Sequence, residues 1–142
     1  MKTGCLKTLV IDDDAEHTQI LREIAAFKPK SLEIDALSNG EDALRYLKRQ
    51  PPCRPDLIIL DLHLPGKSGF EVLSAVRADP NLRTIPVMVL SSAADLPTVT
   101  RAYSLGANVF FVKPLGLERY RQLVELITTL WSNFAELPSA AS

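Results

Sequence analysis

Four apolar runs in this 142-residue chain stop at residues able to do chemistry. Leu6 to Ile11 ends at Asp12-Asp13-Asp14, and Leu57-Ile58-Ile59-Leu60 ends at Asp61. Ile85 to Leu90 ends at Ser91, and Val109 to Val112 at Lys113-Pro114. Carboxylates gathered in one place repel, and a cation relieves them. A hard divalent ion such as Mg²⁺ suits such a set, since it favours carboxylate oxygens and water and completes its sphere with a phosphate oxygen. A lysine supplies a point charge for an incoming phosphoryl group, a serine hydroxyl donates to another of its oxygens, and a carboxylate can itself be the nucleophile. Together these residues suffice for phosphoryl transfer to an aspartate.

Whether they meet depends on the elements that carry them. The run at 57–60 predicts a strand buried on both faces, the mark of a central parallel strand, with Pro65-Gly66 turning the chain just beyond Asp61. The first strand, Leu6 to Ile11, runs into a helix start at Asp12-Asp13-Asp14, where exposed N–H groups favour negative charge. Ile20, Leu21, Ile24 and Phe27 continue that helix at helical spacing until Lys28-Pro29-Lys30 closes it. Leu32, Ile34 and Leu37 predict a short second strand, and Ala43, Leu44 and Leu47 a brief helix after the Asn39-Gly40 turn. Three prolines between Gln50 and Pro55 exclude regular structure there.

A third helix carries Phe70, Val72, Leu73 and Val76 and stops near Asp79-Pro80. A fourth spans roughly Leu96 to Leu105 with Gly106 as its stop. The last starts near Leu117 and extends to Phe134 or beyond. Five strands alternating with five helices imply a parallel sheet with right-handed crossovers. All strand ends then share one rim, where open α/β sheets bind ligands, and Asp12, Asp13, Asp61, Ser91 and Lys113 converge there.

Composition narrows the class. Hydrophobic residues make up 46% and charged residues 23%, as in an ordinary globular chain, and one domain spanning 1–142, with its core at about 5–134, is expected. The net charge of −1 argues against a nucleic-acid face. No apolar stretch reaches the ~18 residues of a membrane span. Cys5 and Cys53 lack metal-ligand spacing and no secretory segment precedes the first strand, so a reduced, cytoplasmic protein is expected.

In the order Val10-Ile11-Asp12-Asp13, Leu60-Asp61-Leu62-His63-Leu64-Pro65-Gly66, Pro86-Val87-Met88-Val89-Leu90-Ser91 and Phe110-Phe111-Val112-Lys113-Pro114, the chain resembles a receiver domain of two-component response regulators over nearly its whole length. The resemblance implies a flavodoxin-like sheet in strand order 2-1-3-4-5. It implies that Asp61 takes a phosphoryl group from the phosphohistidine of a sensor histidine kinase. Asp13 and Asp61 would ligate Mg²⁺ directly, Asp12 through water, and the backbone carbonyl of His63 would complete the set. Lys113 would contact the phosphoryl group, with a cis peptide at Pro114. Ser91 and Phe110 would form the output switch, acting on the surface of the fourth helix, fifth strand and fifth helix. Serine stands where threonine is commoner, and phenylalanine where tyrosine is frequent, so an inward ring packs without donating a hydrogen bond.

In the last helix Leu117, Tyr120, Val124, Ile127, Trp131 and Phe134 form one stripe, with Leu123, Leu126, Leu130 and Leu137 beside it. The apolar arc is wider than one contact needs, which predicts a homodimer through Leu123, Leu126 and Leu130. With only Glu136 to Ser142 beyond, no output domain is expected, and the aromatic-rich helix is similar to single-domain regulators paired with phytochrome-type kinases. His63 is expected as an exposed loop residue close enough to touch phosphoryl hydrolysis, and His17 as a solvated one with no role. Two rivals keep the same residues: a haloacid dehalogenase-type phosphatase with Asp12 as nucleophile and Asp14 as general acid, and an unphosphorylated pseudo-receiver. The first lacks a further acidic pair after the lysine strand and leaves Asp61 idle.

Overall fold

A computed structural model describes residues 6–28, 32–49 and 54–131. Strands β1 (Leu6–Ile11), β2 (Leu32–Leu37), β3 (Leu57–Leu60), β4 (Val87–Ser91) and β5 (Val109–Val112) alternate with helices α1 (Ala15–Ala26), α2 (Gly40–Leu47), α3 (Gly69–Ala78), α4 (Leu96–Ser104) and α5 (Leu117–Thr129). All strand pairs are parallel, in the order β2-β1-β3-β4-β5. The sheet is therefore the one expected, with β3 at its centre.

Alternation along each strand divides the core into two layers. Leu9, Ile11, Ile58, Leu60, Val87 and Val89 pack with Ala43, Leu44 and Leu47 of α2, Val72, Leu73 and Val76 of α3 and Ala102 of α4. Val10, Leu57, Ile59, Met88 and Leu90 pack on the other face with Leu21 and Ala25 of α1 and Tyr120, Leu123, Val124 and Ile127 of α5. Burial on both sides fixes the strand register, and register decides where the strands end.

Capping decides where the helices begin. Asp14 caps α1 through the Glu16 N–H, Asn39 caps α2 through Asp42, Asp95 caps α4 through Thr98, and Ser68 and Glu71 form a reciprocal capping box on α3. Gly106, at φ 107°, ends α4 as expected, with the Ala107 N–H donating to the Ala102 carbonyl.

Four expectations are corrected. The fourth strand begins at Val87 rather than Ile85, since Pro86 offers no N–H to a ladder, and it extends through Ser91. Phe27 is not on the packed face of α1 but 90% exposed at its C-cap. At 3.6 residues per turn it lies about 150° round from the arc of Thr18, Leu21 and Ala25, which α1 does bury. Leu123 is not on the outer face of α5: it is buried beside Tyr120, Val124 and Ile127, whereas Leu126 and Leu130 are exposed. Its angular position falls at the margin of the packed arc, which is wide enough to include it. Leu117, expected on the packed stripe, is half exposed in the first turn. Phe134, Leu137, Cys5 and Cys53 lie outside the described residues.

Candidate functional site

The rim of the sheet carries one cation clasped by two buried acids. Asp12 follows β1, Asp61 follows β3 and Lys113 follows β5, three strand ends brought together by the order β1-β3-β4-β5. Lys113 Nζ donates to Asp61 Oδ2 at 3.0 Å and lies 3.1 Å from Asp12 Oδ2. Only 10% of the lysine side chain and 6% of each aspartate are exposed, so bulk water screens these charges weakly.

Backbone groups fix the acids. Asp12 Oδ1 accepts from the Asp14 N–H at 2.9 Å, and Asp61 Oδ1 accepts from the His63 N–H at 3.1 Å. The Asp61 N–H continues the sheet by donating to the Ile11 carbonyl at 2.9 Å. Across the loop, the Gly69 N–H donates to the Leu62 carbonyl at 3.0 Å. A Cβ on Gly69 would fall 2.4 Å from the Asp61 carbonyl oxygen and 2.5 Å from the Leu62 Cα, so only glycine lets α3 start this close to the acid. The His63 side chain is exposed, as expected.

Charge balance follows from burial. Desolvation pushes the Asp12 carboxyl above its ordinary value, opposed by the Asp14 N–H and by Lys113. Desolvation also works against the Lys113 ammonium, but the hydrogen bond to Asp61 and the charges of Asp12 and Asp61 outweigh it, and its pKa rises. Asp13 is exposed at the pocket mouth. One carboxylate oxygen from each of Asp12, Asp13 and Asp61 lies within 4.8 Å of the others. An all-oxygen donor set, open to solvent on the Asp13 side, fits a hard divalent cation that keeps several waters.

Ser91 is buried at the end of β4, its Oγ accepting from the Ala93 N–H at 3.2 Å. Its carbonyl accepts from the Lys113 N–H at 2.9 Å, which couples the serine to the lysine strand. Phe110 is half buried against the α2–α3 layer, and its N–H, on the edge strand, donates to the Tyr103 hydroxyl of α4 at 3.0 Å. Among the exposed apolar side chains are Val112, Leu115, Leu117, Leu126 and Leu130, around β5 and α5.

His17 is not the solvated residue expected but is drawn to the rim. Its Nδ1 lies 2.9 Å from Lys113 Nζ, 3.3 Å from Asp14 Oδ2 and 3.7 Å from Asp12 Oδ2. A signal existed: with Asp14 as N-cap, His17 is the third residue of α1, and side chains there tilt back toward the helix N-terminus, hence toward the rim. Its ring is tilted 35° to that of buried Tyr120, centroids 6.0 Å apart. Burial pushes the Tyr120 hydroxyl above its ordinary value.

Sheet and pocket define a doubly wound α/β protein with an acid-and-lysine site at its ligand-binding rim. The family model described as the response regulator receiver domain matches residues 8–125. Response regulator Rcp1 of Synechocystis sp. is 31% identical over 136 residues, covering 93% of this chain and 92% of Rcp1. The crystal structure of the phosphorylated cyanobacterial phytochrome response regulator RcpA superposes with a TM-score of 0.86 at 33% identity, covering 95% of this chain and 99% of that one. The Mn²⁺-bound form of Rcp1 superposes with a TM-score of 0.83 at 30% identity, covering 94% and 99%. This chain belongs to the response regulator receiver family of two-component systems.

Proposed function

We propose that the chain is a stand-alone phosphoacceptor regulator, with Asp61 as the phosphorylated residue. The observation that carries this is the Lys113 ammonium held between Asp61 and Asp12 at a rim that also presents Asp13. A carboxylate oxygen of Asp61 attacks the phosphorus of a histidine kinase's phosphohistidine. The P–O bond forms as the P–N bond breaks, and the electron pair leaves with the donor imidazole, which takes a proton from water. Lys113 donates to one phosphoryl oxygen and Ser91 Oγ to another, each aimed by its strand end. Asp12, Asp13, Asp61 and the His63 carbonyl are the residues that would hold Mg²⁺, whose charge offsets that of the transferred group.

Ser91 and Phe110 carry the event toward α4, β5 and α5, with the Lys113–Pro114 peptide in the cis form. The protein acts by changing its surface, with self-phosphorylation and autodephosphorylation but no turnover of a separate substrate. Rcp1, almost equal in matched length, supports the stand-alone form, and the phytochrome link in RcpA's description supports a phytochrome-type kinase as donor. Among the described residues no helix is long and apolar enough to cross a membrane, and we place the protein in the cytoplasm without a membrane or nucleic-acid partner. Exposed Leu126 and Leu130 on α5 support a homodimer. The family match leaves the phosphatase alternative without support.

Acetyl phosphate with Mg²⁺, followed by mapping of the modified residue, tests the reading. Phosphate on Asp61 that disappears in Asp61→Asn and without Mg²⁺ is expected. Phosphate on Asp12 would restore the phosphatase alternative. No modified species, together with no effect of Mg²⁺ on residues near Asp13, would favour an interaction module.

A further inference from the structure

Lys113 has three acceptors, and the proposed transfer makes other demands on two of them. Asp61 becomes a mixed anhydride, and Asp12 is claimed by the cation. His17 remains. An ammonium has three N–H groups and no lone pair, so at 2.9 Å Lys113 donates and His17 Nδ1 accepts, which places the ring proton on Nε2. The imidazole therefore holds the lysine without neutralising it.

Two further contacts bear on its position. Helix α1 is fixed at its start by the Asp14 cap, which sets the third residue over the rim. The Tyr120 ring, buried in α5 where that helix packs beside α1, lies against the imidazole. Asp14 Oδ2, 3.3 Å from Nδ1, competes for the same nitrogen, since a protonated Nδ1 would donate to it. A proton there would face the Lys113 ammonium at 2.9 Å, and two donors do not sit that close.

Resting on the receiver reading above, we propose that His17 is a positioning residue for phosphoryl transfer. Through Nδ1, with Tyr120 against its ring, it keeps the Lys113 ammonium aimed at the phosphoryl group once Asp61 and Asp12 have released it. The imidazole touches neither phosphate nor donor and acts through the lysine.

The full-length protein, His17→Leu and His17→Asn are compared in the rate of Asp61 phosphorylation by acetyl phosphate at saturating Mg²⁺. Leucine removes the acceptor, whereas the Asn Oδ1 stands near the place of Nδ1. His17→Leu is expected to slow the maximal rate about fivefold to tenfold, the worth of one ordinary hydrogen bond. Its melting temperature should stay near that of the wild type, and His17→Asn should recover most of the rate. An equal rate in His17→Leu, or an equally slow His17→Asn, overturns the proposal.

Should either variant fold poorly, ¹⁵N chemical shifts of the wild-type imidazole decide without substitution. A ring protonated at Nε2 with Nδ1 accepting is expected, and an Nδ1–H overturns the proposal. A wild type that takes no phosphate overturns the phosphoacceptor reading and this inference with it. A wild type that takes phosphate beside an equally fast His17→Leu overturns this inference alone.

Discussion

Removing the clasped cation should weaken the fold and tighten Mg²⁺ binding at once. In Lys113→Met, Asp61 and Asp12 lose an ammonium 3.0 and 3.1 Å away, in a pocket where about 6% of each acid side chain is exposed. At an effective dielectric of about 20, two unit charges 3 Å apart attract by roughly 5 kcal/mol, and the desolvation of both ions cancels much of that. Taking one partner from a buried pair costs about 3–5 kcal/mol, and the open Asp13 side of this pocket places the loss near the lower figure. For a chain of this size, about 3 kcal/mol lowers the melting temperature by roughly 10 °C. The sign with pH is fixed by the raised pKa of Lys113: its contribution is complete below the ordinary lysine value of 10.5 and fades as pH rises through the higher folded-state value. The full difference is therefore present at pH 7. Mg²⁺ should respond the other way. The Lys113 ammonium repels a dication held by the same acids, so loss of the lysine should tighten Mg²⁺, by roughly tenfold if about 1.4 kcal/mol of repulsion is removed. Calorimetric melts with and without Mg²⁺, and titration calorimetry of the ion, read both effects. A variant that melts within about 2 °C of the wild type, or that binds Mg²⁺ more weakly, would refute the clasped-cation argument.

Two further substitutions separate the site from its surroundings. Burial raises the Asp12 pKa, so the folded protein holds that proton more tightly than the unfolded chain, and stability falls as pH rises from the ordinary value of 3.8 through the raised one. Asp12→Asn removes that cost, and its metal-free melting temperature should exceed that of the wild type by a few degrees at pH 7, with the gain vanishing near pH 3 and Mg²⁺ protection weakened; a lower melting temperature at pH 7 would contradict the burial argument. On α5, Leu126→Asp or Leu130→Asp should shift a dimer toward monomer in sedimentation while leaving melting nearly unchanged. Leu123→Asp should instead cost about 3 kcal/mol or more in chemical denaturation, because it buries a carboxylate in the core.

Strand ends were the legible part of this protein. An apolar run broken by a single acid has few other readings when both faces of the strand must be covered, and β3 with Asp61 is placed by that alone. The meeting of Asp12, Asp61 and Lys113 follows from parallel order rather than from any local motif, since the residues lie far apart in the chain. Angular position round a helix was less legible. Phe27 and Leu123 are both leucine-like in hydropathy, yet one is turned outward and the other drawn in, because the width of the buried arc is set by what packs opposite it. His17 escaped because an imidazole among exposed helix residues has no apolar signature. What gives it a partner is the reach of a lysine from a strand nearly a hundred residues later.

Gly69 carries a consequence for exchanging parts between relatives. The backbone of Asp61 and Leu62 is met there by the first turn of α3, and the tolerance is smaller than a methyl group. Within the loop His63 is exposed and can be traded with little regard for size, but Leu62 packs into the core, Ser68 caps α3, and the joint that shuts the loop cannot change. A graft intended to transplant the neighbourhood of Asp61 therefore has a smallest workable cassette, from Asp61 to Gly69 inclusive. One cut a residue short, with alanine left at the seam, would lever the helix off the very carboxylate it was meant to carry.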